Sequence, residues 1–375
     1  MLRRLQTDRW LFLSTVALCL IGAVMVFSAS AVTAREQYGH AYYFLVRQLA
    51  WLVLGAGGML VLMNVDYRVF RRQAIVYAGI GTVVLMLIAV FFLDKHHDTH
   101  RWISFGPVGL QPAEVAKLAV IAYLAWFLDR RLRQSPASVN DLRNTIIPAL
   151  VPVIVIVGLI AKQPDLGTAI EIFLIALAMM FVAGVSMKYL FAAGALVAPY
   201  VLYLLIFVPW RLQRIISFLH PSLDPQGKGF QLLQSLIAVG SGGFSGVGLM
   251  ESKQKLFYLP EAHTDFIFAV LCEELGFIGG AIVLTLFAVY AWRGMRAALE
   301  SMDMFGRLVA LGITTMVASQ ALINLCVVLG MMPTKGIPLP FVSYGGSSLL
   351  VMLLATGVLL NISQDASQNV LRRLN

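Results

Sequence analysis

About ten apolar runs, separated mostly by short polar segments, limit this chain more than any other feature. They cover about Trp10–Phe27, Tyr43–Met63, Ala74–Leu93, Ala113–Leu128, Ile146–Ile160, Thr168–Val185, Tyr189–Val208, Phe266–Trp292, Leu308–Met331 and Ser347–Leu360. Hydrocarbon offers no hydrogen bonds, so an apolar run of roughly 20 residues crosses it as a helix that satisfies its own backbone. Composition agrees, with 59% hydrophobic residues, 13% charged residues and a mean hydropathy of +0.82. Soluble domains carry roughly 25% charged residues. The expected fold is an all-α integral membrane protein, a single polytopic domain over residues 1–375.

The net charge of +9 does not point to nucleic acid, because cytoplasmic loops of membrane proteins collect Lys and Arg. Alternate loops carry Arg68, Arg71 and Arg72; Arg130, Arg131, Arg133 and Arg143; Lys188; Arg293, Arg296 and Arg307; Arg372 and Arg373. The opposite short loops are poorer, with Arg35, then Lys95 and Arg101, then Lys162, then Lys335. This bias places both termini in the cytoplasm, with cytoplasmic tails at 1–9 and 364–375. Arg3, Arg4 and Arg9 before the first run, and the small residues Ser28 to Ala34 after it, imitate a cleaved secretory signal. The run is long for that, and many spans follow, so it reads as an uncleaved first helix. One loop, 209–264, is far longer than the rest and falls on the extracytoplasmic side. Its Trp210, Ile215, Ile216, Phe218, Phe230, Leu232 and Leu233 suggest short amphipathic helices lying on the bilayer. Cys19, Cys272 and Cys326 show neither disulfide nor metal spacing. His96, His97 and His100 read as a solvated polar loop in preference to a metal site.

Four carboxylates, Glu261, Asp265, Glu273 and Glu274, surround the start of the eighth run. Ionisable residues in membrane segments are costly, which makes them functional candidates. A helix starting early would put Glu261 and Asp265 one turn apart on one face. The plainer reading is a helix N-terminus capped by Thr264, with acids in its first turn. Four other stretches end on the same side. The glycine cluster from Gly240 to Gly248 fails the dinucleotide pattern, because Ser245 stands where the third Gly belongs. It reads as close backbone packing, or else as a flexible floor for a bulky substrate. Glu114 and Lys117, at i,i+3, either neutralise each other or offer a cation to Asp265 or to a phosphate. Asp165 follows the helix-breaking Pro164 and reads as a cap and a further outer acid. From Gly330 to Ser348, three prolines and four glycines interrupt two spans around Lys335, Ser343, Tyr344, Ser347 and Ser348. Broken backbone at membrane depth is tolerated where it is buried in protein or lines a cavity.

Over nearly its whole length the chain resembles the SEDS family of peptidoglycan polymerases. The resemblance rests on Arg101-Trp-Ile, Gln111-Pro-Ala-Glu-Val-Ala-Lys117 and Gln163-Pro-Asp-Leu-Gly-Thr168. It extends through Gln234 to Gly243, Glu261-Ala-His-Thr-Asp-Phe-Ile-Phe268 and Pro338 to Ser348. Ala113 departs from the Ser usual in the family, but Glu114 and Lys117 remain. Ser252 to His263 and Thr334-Lys-Gly-Ile-Pro are similar to the division-specific branch, with the sporulation and elongation branches as alternatives. The resemblance implies a glycosyltransferase that joins lipid II units into glycan strands outside the cytoplasmic membrane, at the division septum. It implies Asp265 as general base on the acceptor GlcNAc 4-hydroxyl, undecaprenyl pyrophosphate as leaving group, and inversion if attack is direct. Arg101, Glu114, Lys117, Asp165, Glu261, His263, Lys335, Ser343 and Ser347 are the substrate-binding candidates. Arg211 and Arg214 are further candidates for the pyrophosphate. Dependence on Mg2+ or Mn2+ is implied, with no ligand spacing visible. The implied partners are a class B penicillin-binding protein, whose helix should pack near the last spans, and other division proteins.

Two other classes fit a many-span chain: a flippase or transporter for the lipid-linked precursor, and a structural scaffold. A transporter places ionisable residues near the bilayer midplane, whereas these cluster toward one face.

Overall fold

The computed structural model describes residues 7–94, 100–105, 108–221, 224, 227, 229–256 and 258–374. Arg3, Arg4, Lys95, His96 and His97 lie outside the described residues, as do the side chains of Arg372 and Arg373. Among the described residues twelve α-helices follow in order: α1 (Arg9–Tyr38), α2 (Tyr43–Asn64), α3 (Gln73–Leu93), α4 (Pro112–Gln134), α5 (Ile147–Lys162), α6 (Leu166–Val182), α7 (Met187–Ile206), α8 (Pro209–Leu219), α9 (Phe230–Ser241), α10 (Ile267–Glu300), α11 (Met304–Val328) and α12 (Gly346–Leu374). Between α3 and α4 a small antiparallel hairpin, β1 (Ile103–Phe105) and β2 (Val108–Leu110), pairs Ile103 with Leu110.

Eight helical segments among the described residues are long and apolar enough to cross a membrane, and each coincides with an apolar run. The other two runs form α4 and α6. Helix α4 carries Glu114, Lys117 and Asp129, and all three are buried among neighbouring helices. Helix α6 has 17 residues, a length of about 25 Å, somewhat short of a hydrocarbon core of about 30 Å.

The first helix runs to Tyr38, well past the apolar run that announced it. Asp8 caps it by accepting from the Leu11 amide, and Gly39 ends it with a positive φ of 76°. Ser28, Ala29, Ser30 and Ala31 are buried, so the small residues that imitate a cleavage site serve close packing. Likewise α12 continues to Leu374, so the segment predicted as a tail from 364 is helical up to that residue.

The connecting segments sort to two ends of the bundle. At one end Arg71 pairs with Asp129 at 3.0 Å, Arg68 with Asp365 at 2.7 Å, and Arg293 with Asp8 at 2.6 Å. At the other gather the turns before α10, the segment around Arg101, the α5–α6 turn and the 329–345 segment. The predicted long loop is largely ordered: α8 and α9 form within it, and Leu232, Ser235 and Ala238 of α9 are buried.

The glycine cluster has a structural task. Helix α10 breaks at Gly276, where φ is 65° and ψ is −163°. The freed backbone pairs with the segment after α9: Val247 and Gly248 amides donate to Glu273 and Glu274 carbonyls at 3.0 and 3.1 Å, and Phe277 donates to Gly243 at 2.9 Å. A Cβ at Gly276 would overlap the Gly246 nitrogen and the Phe244 carbonyl. The expected outcome for Gly276→Ala is therefore a loss of at least ~1–3 kcal/mol from backbone strain. Gly158→Ala, in α5 with nothing within 4 Å, should be neutral or slightly stabilising. Thermal unfolding of the solubilised protein, followed by size exclusion, measures both.

Candidate active site

Asp265 lies in a series of turns, because α10 begins only at Ile267. The expected helical face shared by Glu261 and Asp265 is therefore not formed. The Glu261 carbonyl accepts both the Thr264 and Phe266 amides at 3.2 Å, closing a tight turn in which Glu261 itself has a positive φ of 55°. Thr264 does not cap α10 either; its hydroxyl donates to Glu261 Oε2 at 2.8 Å. Phe266, fully buried, pins the end of the turn and leaves Asp265 half-buried at its edge.

The 329–345 segment re-enters the bundle as irregular backbone with Ile337, Leu339, Phe341 and Val342 buried. Its carbonyls find partners on α11: Asn324 Nδ2 donates to Ile337 O and to Asp265 O, both at 2.8 Å, and Gln320 Nε2 donates to Pro338 O at 2.9 Å. Ser343 ties the same two segments together, donating to Thr264 O at 2.6 Å and accepting from the Leu339 amide at 2.8 Å. The Tyr344 amide adds a bond to His263 O at 3.0 Å.

Beside this junction a cavity of about 540 Å³ opens between the start of α6, the end of α7, α8 and residues 333–337. This is the size range of ligand sites. Four cationic side chains line it, Arg101, Arg211, Arg214 and Lys335, against one acid, Asp165; Ile170, Leu205 and Ile215 supply apolar wall. Arg101 is positioned by bonds to Gln163 O at 3.0 Å and to Pro164 O. Asp165 caps α6, accepting from the Thr168 amide at 3.1 Å and its hydroxyl at 2.9 Å. Arg211 is only 7% exposed, and its Nε and Nη1 have no hydrogen-bond partner. A buried, unsatisfied guanidinium facing a cavity is costly unless an anion completes it. Such a cavity suits an anionic group joined to an apolar chain.

Gly336 lines the cavity, and a Cβ there would lie 3.2 Å from Asp265 Oδ2. Burial, together with the neighbouring Glu261 carboxylate, pushes the Asp265 carboxyl up to about 7, with Arg214 and Arg101 acting against the rise and Asp165 adding to it. Burial likewise lowers the Lys335 ammonium below its ordinary value, which Asp165 partly offsets.

The remaining candidates are distributed differently. Lys117 is fully buried against Glu114 at 2.9 Å, Glu171 at 3.6 Å and Gln320 Oε1 at 2.6 Å, away from the cavity lining. His263 is half-buried between the Phe44 and Tyr344 rings, 4.6 and 5.8 Å away. Glu261 is exposed, and Ser347 is buried in the first turn of α12. Glu273 accepts from the Ser252 hydroxyl and the Lys253 amide, and Glu274 pairs with Lys255 at 2.8 Å and Ser28 at 2.6 Å. Both glutamates therefore anchor the loop before the Asp265 turn. Gln320, Asn324 and Glu171 escaped the sequence reading, although each is a polar residue inside an apolar run, the signal that should have marked them.

Comparison with known proteins places this geometry. The family model described as Cell cycle protein, which covers FtsW, RodA and SpoVE, matches residues 9–368. A probable peptidoglycan glycosyltransferase FtsW of Trichlorobacter lovleyi is 43% identical over 362 residues, covering 96% of this chain and 94% of that protein. Stage V sporulation protein E of Bacillus subtilis is also 43% identical, over 96% of this chain and 98% of its own length. Among solved structures, a chain of a peptidoglycan synthase complex that coordinates polymerization and crosslinking superposes with a TM-score of 0.75 at 29% identity, covering 97% of this chain and 99% of that one. The rod shape determining protein RodA of Thermus thermophilus gives 0.68 at 26% identity, over 96% and 98% of the two chains. The chain belongs to the FtsW, RodA and SpoVE family of cell cycle proteins, the SEDS family.

Proposed function

We propose that this peptidoglycan glycosyltransferase polymerises lipid II at the outer face of the cytoplasmic membrane during septal wall synthesis, with Asp265 as general base on the acceptor. The observation that carries this reading is the place of Asp265: a carboxyl raised to about 7, against Gly336 at the edge of a cavity lined by four cations. The arginine-rich end of the bundle is opposite, which supports an outward-facing cavity.

In the reaction, Asp265 takes the proton of the acceptor GlcNAc 4-hydroxyl. The O4–C1 bond forms as the bond from C1 to the donor's pyrophosphate oxygen breaks, inverting C1. Arg101, Arg211, Arg214 and Lys335 hold the charge that grows on undecaprenyl pyrophosphate. A positioned base is worth about 10²–10⁴ in rate, and each preorganised charge donor adds a factor of about 10²–10³.

The residues present do not fit a divalent cation held by the protein alone. Among the described residues no three His, Cys, Asp or Glu side chains gather as a metal site, and Asp165 shares the cavity with four cations. A Mg2+ or Mn2+ ion would be held mainly by the pyrophosphate, adding charge neutralisation there. The relation to a synthase complex that couples polymerization to crosslinking supports a class B penicillin-binding protein as partner, and the FtsW names of relatives support the division role. A transporter is less favoured by depth. Glu114, Lys117, Glu171, Glu273 and Glu274 all sit within the first eight residues of their helices, toward one face.

Asp265→Asn should lower strand formation from lipid II about 10²–10⁴-fold while the protein folds normally; wild-type rates in that variant would reject the assignment. The base works only when ionised, so kcat/KM should fall as pH drops through about 7. Glu261→Gln removes a charge that raises the carboxyl and should move this limb to lower pH; Arg214→Gln should move it to higher pH. A pH–rate series on the three proteins decides. Arg211→Ala should weaken binding of inorganic pyrophosphate about tenfold or more, read by calorimetry.

A further inference from the structure

We propose that Gln320 and Asn324, one turn apart on α11, are positioning residues. Their amides lock the Asp265 turn and the 333–340 segment in one register, and Lys117 fixes which way the Gln320 amide points. This rests on the assignment of Asp265 as base.

Both side chains are buried, at 0% and 1% exposure. Asn324 spends both hydrogens of Nδ2 on carbonyls of two different segments, Asp265 O and Ile337 O, each at 2.8 Å. Gln320 Nε2 holds the next carbonyl, Pro338 O, at 2.9 Å. An amide can flip, and a flip would set an oxygen against the Pro338 carbonyl. Lys117 prevents it. An ammonium only donates, so the 2.6 Å contact from Lys117 Nζ requires the Gln320 oxygen to face it. Lys117 is itself held by Glu114 at 2.9 Å and Glu171 at 3.6 Å. Gln320 and Glu114 lie at bonding distance from the ammonium and Glu171 at ion-pair distance, so its charge serves the frame and not a phosphate.

The bonds act where distance matters. Asp265 precedes α10, so no helix turn takes its carbonyl. Gly336, against which its carboxylate rests, adjoins Ile337, whose carbonyl Asn324 also holds. Asn324 thus ties the Asp265 carbonyl directly to the residue beside Gly336, next to the Ser343 and Tyr344 bonds that join the same two segments. A misplacement of about 1 Å can cost about 10² in rate.

The test uses the full chain with lipid II and Mn2+, comparing Asn324→Ala, Gln320→Glu, Asp265→Asn and the Asn324→Ala/Asp265→Asn double variant. Gln320→Glu keeps an oxygen for Lys117 but has no N–H for Pro338. Asn324→Ala should lose about 10²-fold in kcat with KM little changed, and Gln320→Glu about tenfold. In both, the acid limb of kcat/KM should move down toward the ordinary carboxylate range as water reaches Asp265. The charged groups facing it, Glu261 on its own turn, Arg214 on α8, Asp165 at the α6 cap and Arg101 before β1, are unchanged in Asn324→Ala; the carboxylate that Gln320→Glu adds on α11 acts the other way, so the limb of that variant should fall less. In the Asp265→Asn background, Asn324→Ala should cost nothing further, because it acts through Asp265. An unmoved limb, or the same fold-loss in the Asp265→Asn background, overturns the proposal and leaves a structural role. Should Asn324→Ala not fold, Gln320→Glu carries the same readouts. Normal rates in Asp265→Asn overturn the base assignment itself; normal rates in folded Asn324→Ala with Asp265→Asn inactive overturn this inference alone.

Discussion

Backbone that leaves the helix inside an apolar bundle must find a hydrogen-bond partner there, because no water will supply one. The functional end of this protein is built from that requirement. Among the stretches there that abandon helical geometry are 242–248, 258–266 and 329–345. The first pairs edge to edge with the α10 backbone around Gly276. The other two are joined by Asn324 and Ser343, and Gln320 holds the third. The groups that satisfy the irregular backbone are therefore the groups that fix where Asp265 sits.

The buried acids divide by the same logic. Glu273 and Glu274 are met by Ser252, Lys255 and Ser28, and Glu114 and Glu171 share Lys117. Lys255–Glu274 and Lys117–Glu114 are close buried pairs, and breaking one costs about 3–5 kcal/mol, so these groups read as parts of the frame, with Glu171 a second acid beside Lys117. Asp265 differs. Among the described residues no cation lies within ion-pair distance of its carboxylate, although Arg214 and Arg101 are near enough to act on it. A close guanidinium would hold the carboxyl low and make it a poor base. Cations kept at a distance can attract an anionic leaving group without quenching the base.

The helices were legible in the sequence, because an apolar run of some 20 residues has only one fold in lipid. Asp265 was legible as an acid where a polar loop meets a span. Its surroundings were less so. Glu261 looked like a helical neighbour because i and i+4 are adjacent in a helix, but the tight turn at Glu261 delays the helix to Ile267. Lys117 looked available to a phosphate because its sequence neighbourhood shows one acid, Glu114; the second, Glu171, and Gln320 come from other helices. The cluster of Arg101, Arg211, Arg214 and Lys335 joins three separate segments, and nothing in local spacing announces such a meeting. The glycines from Gly242 to Gly248 were equally ambiguous, since close packing and flexibility call for the same residue.

Gly336 shows how the frame and the chemistry meet. A side chain there would press on Asp265 Oδ2, since even a Cβ would lie at 3.2 Å, while the same residue lines the cavity. A missing side chain is what lets the carboxylate come up to the cavity edge. The same closeness excludes bulk water from one side of the carboxyl, and burial is the largest cause of its raised value. One glycine thus brings the carboxyl to the cavity edge, where the proposed reading puts the reacting centre, and helps keep it weakly solvated. Both properties need the 333–340 segment in register with the Asp265 turn, so in the proposed reading the base depends on the Asn324 and Gln320 amides of α11.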